Sequence, residues 1–286
     1  MTHTQSLKSS ESRGHVGHRA RLVTTVLLVF SGVSISTSAC AESDEELAKK
    51  AQNPIAAMIS MPMQLNYDKR LGAGDDGRKW LLNVQPVIPF DLNPEWNLIS
   101  RTVVPLIDQN DMAPGGTLDA SGIGDITQSL FFSPKSPTSG GWIWGAGPVF
   151  LLPTASDKVL GSEKWGLGPT AVVLRQHNGW TYGVLGNHIW SVAGEDKRDD
   201  ISATYVQPFV GYTTRTFTTF MINTESTYDW KNKAWTVPIN LTATQMLRVG
   251  GQPLTLQAGA RYWAESPHGG PEGWGFRVAV TFLFPK

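Results

Sequence analysis

The feature that most limits the fold of this chain is an alternation of apolar and polar residues that returns in segment after segment beyond residue 58. In the last segment, GFRVAVTFLFPK, the apolar face is formed by Val278, Val280, Phe282 and Phe284. A period of two is that of a β-strand with two different faces. A strand this apolar would promote aggregation at an exposed edge in water, so the pattern favours a closed sheet whose outer face meets hydrocarbon.

The alternating segments are close to the ~9–11 residues of a tilted membrane β-strand. We predict about twelve strands, at residues 59–68, 80–90, 96–106, 124–133, 142–152, 167–176, 180–192, 203–212, 217–228, 235–246, 254–263 and 274–284. Long and short connections mostly take turns along the chain, as they do in membrane barrels with short periplasmic turns and longer outer loops. The predicted fold is all-β: a transmembrane up-and-down antiparallel β-barrel with a short N-terminal periplasmic helix.

Composition agrees with this class of fold. Charged residues make up 17% of the 286-residue chain, and the sequence contains 11 Trp and 29 Gly. Soluble proteins usually carry about 25% charged residues. The formal net charge is zero, so nothing indicates a nucleic-acid partner. No apolar run reaches the roughly 18 residues of a membrane-spanning helix.

The N-terminus has the order of a secretory signal peptide: basic residues, a short apolar stretch and a small-residue site, Ala39-Cys40-Ala41. We predict cleavage after Ala41, which gives a signal peptide over 1–41. A periplasmic segment over 42–54 and an outer-membrane barrel over 55–286 follow. Ser43 and Glu46 have the spacing of a helix capping box. Lipidation at Cys40 and an uncleaved anchor are the less favoured alternatives.

Aromatic side chains are predicted to form two girdles, because each has the parity of the apolar face and falls near a strand end. Trp and Tyr suit membrane–water interfaces, since their rings combine an apolar body with a polar tip. The predicted girdle residues are Tyr67, Trp80, Trp96, Trp142, Trp180, Trp190, Tyr212, Tyr228, Trp235, Tyr262 and Trp274. A soluble sandwich would instead concentrate its aromatics at mid-strand.

The opposite parity is predicted to line the barrel interior and to form the pathway of a solute. These candidates are Gln85, Arg101, Asn223, Glu225, Asn240, Gln257, Arg261 and Arg277. Buried charges need partners, so Glu225 is expected to pair with one or more of the arginines. A filter for charge and size and a structural network that fills a narrow barrel remain equal alternatives.

Eight prolines fall inside the predicted strands, which is unusual because proline lacks a ladder donor. They are Pro62, Pro86, Pro89, Pro105, Pro148, Pro169, Pro208 and Pro238. We expect either bulges at these points or strand boundaries that differ from the predicted ones.

Three stretches resemble one family of bacterial proteins. They are GIGDITQSLFFSPKSPTSGGWIWGAGPVFLLPTAS, GSEKWGLGPTAVVLRQHNGWTYGVLGNHIWSVAGE and GGQPLTLQAGARYWAESPHGGPEGWGF. From residue 47 to 286 the chain is similar to the outer-membrane transporters named for the MetA pathway of phenol degradation, some of which are mislabelled neuromedin U. The resemblance implies an outer-membrane barrel with a transport role and supplies no functional residues.

The sequence therefore predicts a channel of the Gram-negative outer membrane that lets small solutes, aromatic or apolar compounds among them, diffuse through a lumen closed by loops or by residues 42–54. We expect no enzyme activity, no cofactor and no metal. Expected partners are outer-membrane lipid and lipopolysaccharide, the outer-membrane assembly machinery and small-molecule solutes. Two alternatives stay open: a closed structural or phospholipase-like outer-membrane barrel, and a soluble periplasmic barrel.

The phospholipase-like alternative depends on His188, which shares the lipid face with Trp190. A serine nucleophile must lie within hydrogen-bond reach of its base, and no serine does so by local spacing, although a cross-strand serine remains open. Acidic residues in the loops could meet divalent cations that bridge lipopolysaccharide, but solvated loops are the favoured interpretation. These residues are Asp75, Asp76, Glu195, Asp196, Asp199 and Asp200.

Overall fold

A computed structural model describes residues 43–72, 74–113 and 118–285. The predicted signal peptide over 1–41, with Cys40, lies outside these residues. A helix, α1 (Asp44–Ala51), precedes the sheet. The strands are β1 (Ile59–Leu71), β2 (Gly77–Val84), β3 (Val87–Asp91), β4 (Trp96–Asn110), β5 (Ala120–Ile123), β6 (Ile126–Pro134), β7 (Trp142–Leu152), β8 (Lys164–His177), β9 (Trp180–Gly194), β10 (Ser202–Thr213), β11 (Thr218–Thr224), β12 (Ser226–Asp229), β13 (Ala234–Val249), β14 (Gln252–Glu265) and β15 (Gly273–Phe284).

The strands form one closed antiparallel barrel. Each of the pairs β2/β3, β5/β6 and β11/β12 is a single wall strand with an interruption, so the described strands make a ring of twelve. The ring closes where the last strand pairs with the first, from Ile59 opposite Phe284 to Tyr67 opposite Phe276. The prediction of about twelve up-and-down strands is confirmed, and closure removes the exposed edge that the apolar last strand would otherwise present.

The two ends of the barrel differ in their connections. The turn end carries the start of β1, the end of β15 and tight connections such as residues 178–179 and 250–251. The loop end carries longer connections, among them 111–119, 153–163, 195–201 and 266–272. Strands run further into the loops than predicted, since β1 continues to Leu71 and β13 covers sixteen residues.

The outer face of the barrel is apolar, as the alternation requires. Leu241, at the middle of β13, is 61% exposed, and Phe220, Ile222 and Val278 are also exposed. The opposite parity is buried: Arg277 on β15 is 2% exposed. In water, such exposed apolar side chains and buried charges would lower the stability of the fold. In a barrel that spans a membrane, the apolar side chains face lipid and the charged ones lie in the interior.

Four of the eight prolines lie at irregular points or face one another. Pro86 lies in the interruption between β2 and β3, and Pro238 follows the register shift between β13 and β14. Pro148 on β7 is directly opposite Pro169 on β8, so the two residues that lack an N–H share one ladder position. This arrangement removes two donors from a single position and leaves the flanking pairs intact.

Candidate functional site in the barrel interior

The interior has two layers. The layer near the turn end is apolar and includes Ile99, Phe131, Leu174, Leu185 and Phe209, all from wall strands. The layer towards the loop end is polar and charged, and its charged side chains, here named the charged belt, are Asp68, Lys79, Arg101, Glu225, Arg261 and Arg277. Along the barrel axis, the interior therefore changes from apolar at the turn end to charged towards the loop end.

The apolar layer is completed by residues 43–58, here named the inner segment, which come before the first strand. Ile55 packs with the wall cluster that includes Phe131 and Leu174. Leu47, Ala48 and Met58 pack with Met246 of β13 and Leu283 of β15. The inner segment therefore occupies the turn end of the barrel, and it includes most of residues 42–54, which the sequence analysis expected as a periplasmic segment able to close the lumen.

Helix α1 has an N-terminus that its sequence specifies. The Ser43 hydroxyl accepts a hydrogen bond from the Glu46 backbone N–H at 3.2 Å, as the capping-box spacing predicts. Asp44, Glu45 and Glu46 occupy the first turn and Lys49 and Lys50 the last, which suits the helix dipole. A helix of eight residues is marginal alone, so its stability comes from the barrel that holds it.

Polar contacts tie α1 to two hairpins of the turn end. Arg248 Nε donates to Asp44 Oδ1 at 2.6 Å, and Gln176 Nε2 donates to the Lys49 carbonyl at 2.8 Å. Arg248 belongs to the β13–β14 hairpin and Gln176 to the β8–β9 hairpin. Helix α1 is thus bonded to two separate hairpins at the turn end of the barrel.

Gly145 on β7 makes room for the inner segment. A Cβ at this position would lie 3.2 Å from Ile55 Cδ1 and 3.3 Å from Phe131 Cβ. Both contacts are tighter than ordinary van der Waals packing, so a side chain would push Ile55 away from the wall.

Glu225 lies in the interruption between β11 and β12 and is the main counter-ion of the charged belt. Arg277 donates to both Glu225 carboxylate oxygens, from Nη1 at 2.9 Å and from Nη2 at 2.7 Å. Arg277 Nε also donates to Asn66 Oδ1 at 2.8 Å. This two-point geometry is the strong form of an arginine–carboxylate pair, and the predicted pairing of Glu225 with an arginine is confirmed.

Arg261 is held more loosely. Its Nη1 is 3.6 Å from Asp68 Oδ2 and its Nη2 is 3.6 Å from Glu225 Oε2, beyond ordinary hydrogen-bond distance. The guanidinium carbon lies 4.4 Å from the ring centroid of Trp263. Trp263 Nε1 donates to Asp68 Oδ1 at 2.8 Å, so Asp68 links the tryptophan to the arginine.

The other predicted interior residues form smaller pairs. Arg101 Nη2 donates to Gln85 Oε1 at 2.8 Å, and Asn240 Nδ2 donates to Asn223 Oδ1 at 2.9 Å. Gln257 Nε2 donates to the Thr244 hydroxyl at 3.1 Å. The structure brings Glu225, Arg261 and Arg277 into one network and places the remaining candidates along the same inner wall.

The predicted girdle aromatics lie on the outer face, near the strand ends. Cross-strand pairs include Tyr67 with Trp80 at 4.6 Å between ring centroids and Tyr262 with Trp274 at 5.0 Å. Further predicted aromatics there are Trp96, Trp142, Trp180, Trp190, Tyr212, Tyr228 and Trp235. Three exposed tryptophans were not predicted: Trp144, Trp165 and Trp230.

His188 has a cross-strand partner on the outer face. Ser202 Oγ lies 3.4 Å from His188 Nε2, and Thr204 Oγ1 lies 2.7 Å from Nδ1. Trp230 Nε1 donates to the same Thr204 oxygen at 2.8 Å. The serine that local spacing could not supply therefore comes from the neighbouring strand β10.

The sequence did not show that wall residues on the polar parity include large apolar side chains. Phe131 and Ile99 are each 0% exposed on the interior face, and Tyr205 also points inward and donates to Gln207 Oε1 at 3.0 Å. The signal for Phe131 and Ile99 was present as apolar residues on both faces near the turn end of a strand. Asp68 and Trp263 were missed because their contacts join strands distant in sequence.

Two features are absent from the described residues. They contain no cluster of three or more His, Cys, Asp or Glu side chains that could hold a metal ion. Among residues 43–72, 74–113 and 118–285, no helix is long and apolar enough to cross a membrane.

An antiparallel barrel of twelve strands, apolar outside and charged inside, is the fold of outer-membrane β-barrel proteins. Solved structures that are similar to it in architecture belong to that class. The chain is similar to the COG4313 outer-membrane channel from Pseudomonas putida F1, with a TM-score of 0.61, 17% identity, and coverage of 80% of this chain and 96% of that one.

Two further structures extend the comparison. The NanC porin gives a TM-score of 0.50 at 10% identity, covering 78% of this chain and 98% of that one. Outer membrane phospholipase A from Escherichia coli gives 0.44 at 13% identity, covering 86% and 99%. No family model and no curated protein matches the chain. The resemblance to transporters named for the phenol pathway therefore stays a prediction.

Proposed function

We propose that the protein is an outer-membrane channel through which small solutes, aromatic or apolar compounds among them, diffuse when the inner segment moves out of the lumen. The observation that carries the proposal is that the turn end is filled by residues 43–58, which belong to no wall strand. A structural barrel could fill its interior with wall side chains alone, as narrow barrels do. Likeness in fold to a channel and a porin supports the same role.

The polar contacts that hold the inner segment are weak enough for the segment to leave the lumen. The Arg248–Asp44 pair joins side chains that are both more than a third exposed, and exposed pairs contribute about 1 kcal/mol or less. The helix itself is too short to persist without its seat. Release of the segment would expose a lumen whose next layer is the charged belt, which we propose as the part that selects solutes.

The test is ion conductance in planar bilayers with a matched pair of substitutions. Leu47→Asn places a polar group in the apolar seat, because Leu47 is fully buried. Glu45→Asn changes an exposed residue of the same helix. We expect Leu47→Asn to raise the fraction of time in a conducting state about tenfold over both the unchanged protein and Glu45→Asn, since a misplaced buried polar group costs about 1–3 kcal/mol.

Two results would argue against the channel. If Leu47→Asn inserts into the bilayer and shows no current and no liposome swelling, the barrel is closed by its wall. If Glu45→Asn opens the barrel as much as Leu47→Asn does, the inner segment is not seated through Leu47.

The proposal also assigns the surroundings of the barrel. We place its wall in the outer membrane, in contact with lipid and lipopolysaccharide and inserted by the outer-membrane assembly machinery. The exposed apolar side chains and the aromatic pairs near both ends support this placement.

A second candidate function, hydrolysis of a lipid ester at the outer face, rests on the contact between Ser202 and His188 Nε2. If it operates, His188→Ala abolishes phospholipid hydrolysis by the purified protein while His177→Ala, at the turn end, retains it. Equal hydrolysis by both variants removes this candidate and leaves the channel proposal unaffected.

A further inference from the structure

Within the described residues, the charged belt holds more positive than negative charge. Its four cations and two carboxylates are Lys79, Arg101, Arg261, Arg277, Asp68 and Glu225, which leaves an excess of two positive charges. All three arginines act electrostatically on the single carboxylate of Glu225. A charge excess inside a wall surrounded by hydrocarbon is poorly screened, so it gives the lumen a positive potential.

Two of the belt arginines are matched with its carboxylates and are packed into the wall. Glu225 receives two hydrogen bonds from Arg277, and Asp68 Oδ2 lies 3.6 Å from Arg261 Nη1. Arg277, Arg261 and Asp68 are all buried. These contacts account for both negative charges of the belt, so the excess positive charge is that of Lys79 and Arg101.

Lys79 and Arg101 are the cations of the belt that face the lumen. Lys79 on β2 is directly opposite Asp68, and Arg101 on β4 donates to Gln85 inside the barrel, so both have the inward parity. Both remain partly exposed, and exposure on the inner face of the wall is exposure to the lumen. In the part of the chain that the structure describes, neither side chain forms an ion pair. The partner of Arg101 is the neutral amide of Gln85, at 2.8 Å.

Charged groups nearer the loop end do not cancel this excess. Lys164 Nζ is 3.2 Å from Asp200 Oδ1, so this pair adds no net charge. The Asp229 carboxylate accepts hydrogen bonds from the backbone N–H groups of Lys231 and Asn232 in its own hairpin. Salt in the surrounding water screens such loop-end charges over about 10 Å, whereas the belt lies further inside the barrel.

We infer that the open lumen passes anions in preference to cations, and that its solutes are small organic anions of the aromatic carboxylate class. This inference names the solute class of the proposed channel and rests on that proposal. Lys79 and Arg101 make the selection, because an ammonium and a guanidinium that face the lumen attract an anion and repel a cation. The matched pairs of the wall hold the belt together and add no net charge.

The position of Arg101 favours anions with an apolar body. Val87 on β3 is directly opposite Arg101, and Ile99 is two residues away on the same face of β4. Both belong to the apolar cluster that Ile55 of the inner segment completes. When the inner segment leaves, the space of Ile55 becomes free beside Arg101. An aromatic carboxylate can then place its ring against this apolar surface and its charge at the guanidinium.

The test is the reversal potential of single openings in planar bilayers under a gradient of potassium chloride. It is measured on the unchanged full-length protein and on Leu47→Asn. We expect chloride to be at least about threefold more permeant than potassium, because of the positive potential of the lumen. Benzoate in place of chloride should still carry an anion current, whereas benzylammonium, of similar size and opposite charge, should carry almost none in place of potassium.

Substitutions in the Leu47→Asn protein test the residues. Lys79→Gln and Arg101→Gln each remove one of the two excess charges and should lower the ratio of chloride to potassium permeability about twofold or more. Together they should abolish the preference. Arg78→Gln is the matched control, because Arg78 is the neighbour of Lys79 on the outward parity, its side chain is 57% exposed, and the change of charge is the same. It should leave the ratio unaltered.

The outcomes separate this inference from the channel itself. Openings that show no preference, or that favour potassium, would overturn the anion selectivity and leave the channel. A chloride current without a benzoate current would overturn the assignment of aromatic carboxylates. Equal shifts in Arg78→Gln and Lys79→Gln would show that the lumen charges do not select. Absence of current in every protein would remove the channel and, with it, the passage of anions.

Discussion

At the scale of single residues, Glu225 is the counter-ion that two buried arginines of the interior share. Its carboxylate receives two hydrogen bonds from Arg277 and lies 3.6 Å from Arg261. Without this negative charge, two buried guanidinium groups lose their shared counter-ion. Removing one partner of a buried ion pair is far more costly than an exposed pair suggests.

Glu225→Gln should therefore lower the free energy of unfolding by about 3–5 kcal/mol, as breaking one side of a buried pair does. The measurement is urea unfolding of the barrel in detergent, followed by the shift between folded and unfolded mobility on gels. Glu95→Gln, in an exposed turn, is the control and should change the stability by less than about 0.5 kcal/mol. A loss as small as that of the control would show that the belt is not held through Glu225.

A second residue-scale prediction concerns Lys164, which is buried at the loop end with its Nζ 3.2 Å from Asp200 Oδ1. The Lys164 ammonium and the Ser191 hydroxyl hold the pKa of Asp200 below its ordinary value. A depressed pKa gives stability that is present above the unfolded value, about 4, and is lost as the pH falls through the folded value.

Thermal unfolding across pH 3 to 6 tests this pair. The unchanged protein should lose stability more steeply below pH 4 than Asp200→Asn, which has no carboxyl to protonate. Parallel curves for the two proteins would contradict a coupling between Asp200 and Lys164.

At the scale of elements, the inner segment packs against the wall partly because one wall position is a glycine, which leaves space for a side chain of the segment. Gly145 faces Ile55, and its neighbour Ala146 points outward. Gly145→Val should push Ile55 from its cluster and raise the open fraction in planar bilayers several-fold, because overpacking costs about 1–3 kcal/mol. Ala146→Val changes the outer face and should leave the current unaltered. Equal currents in both variants would mean that Ile55 does not close the lumen.

Much of the wall could be predicted from the sequence because successive residues of a strand point to opposite faces of the sheet. The strands from Ile59 to Phe284, the capping of α1 by Ser43 and the outward aromatics follow from such local patterns. The seat of the inner segment could not be predicted, since Leu47 meets Met246 and Leu283 only after the barrel closes. The contact of Ser202 with His188 was missed for the same reason: it depends on the register between β9 and β10.

The interior charges were predicted only in part. Parity identified Arg261, Arg277 and Glu225, but the link through Asp68 and Trp263 joins residues almost two hundred positions apart. The apolar inner layer was missed because Phe131 and Leu174 alternate with other apolar residues, so the local pattern does not say which face is inside.

At the scale of the whole molecule, the proposed function requires a cylinder whose outer wall meets hydrocarbon. Closure of β15 on β1 leaves no open edge among the described strands, and the exposed mid-wall residues are apolar. The inner segment can close a lumen, and the charged belt can select solutes, only if this wall spans a bilayer. The conductance predictions depend on this wall, whereas the predictions for Glu225 and Asp200 rest on ion pairs and can fail separately.

The most direct test is the environment of a spin label attached to Leu241→Cys, at the exposed centre of β13, after reconstitution into liposomes. This label should be accessible to oxygen and protected from a water-soluble nickel complex, while a label at Asp196→Cys in a loop should show the opposite. A label at Leu241 as accessible to nickel as the one at Asp196 would contradict a membrane-spanning wall.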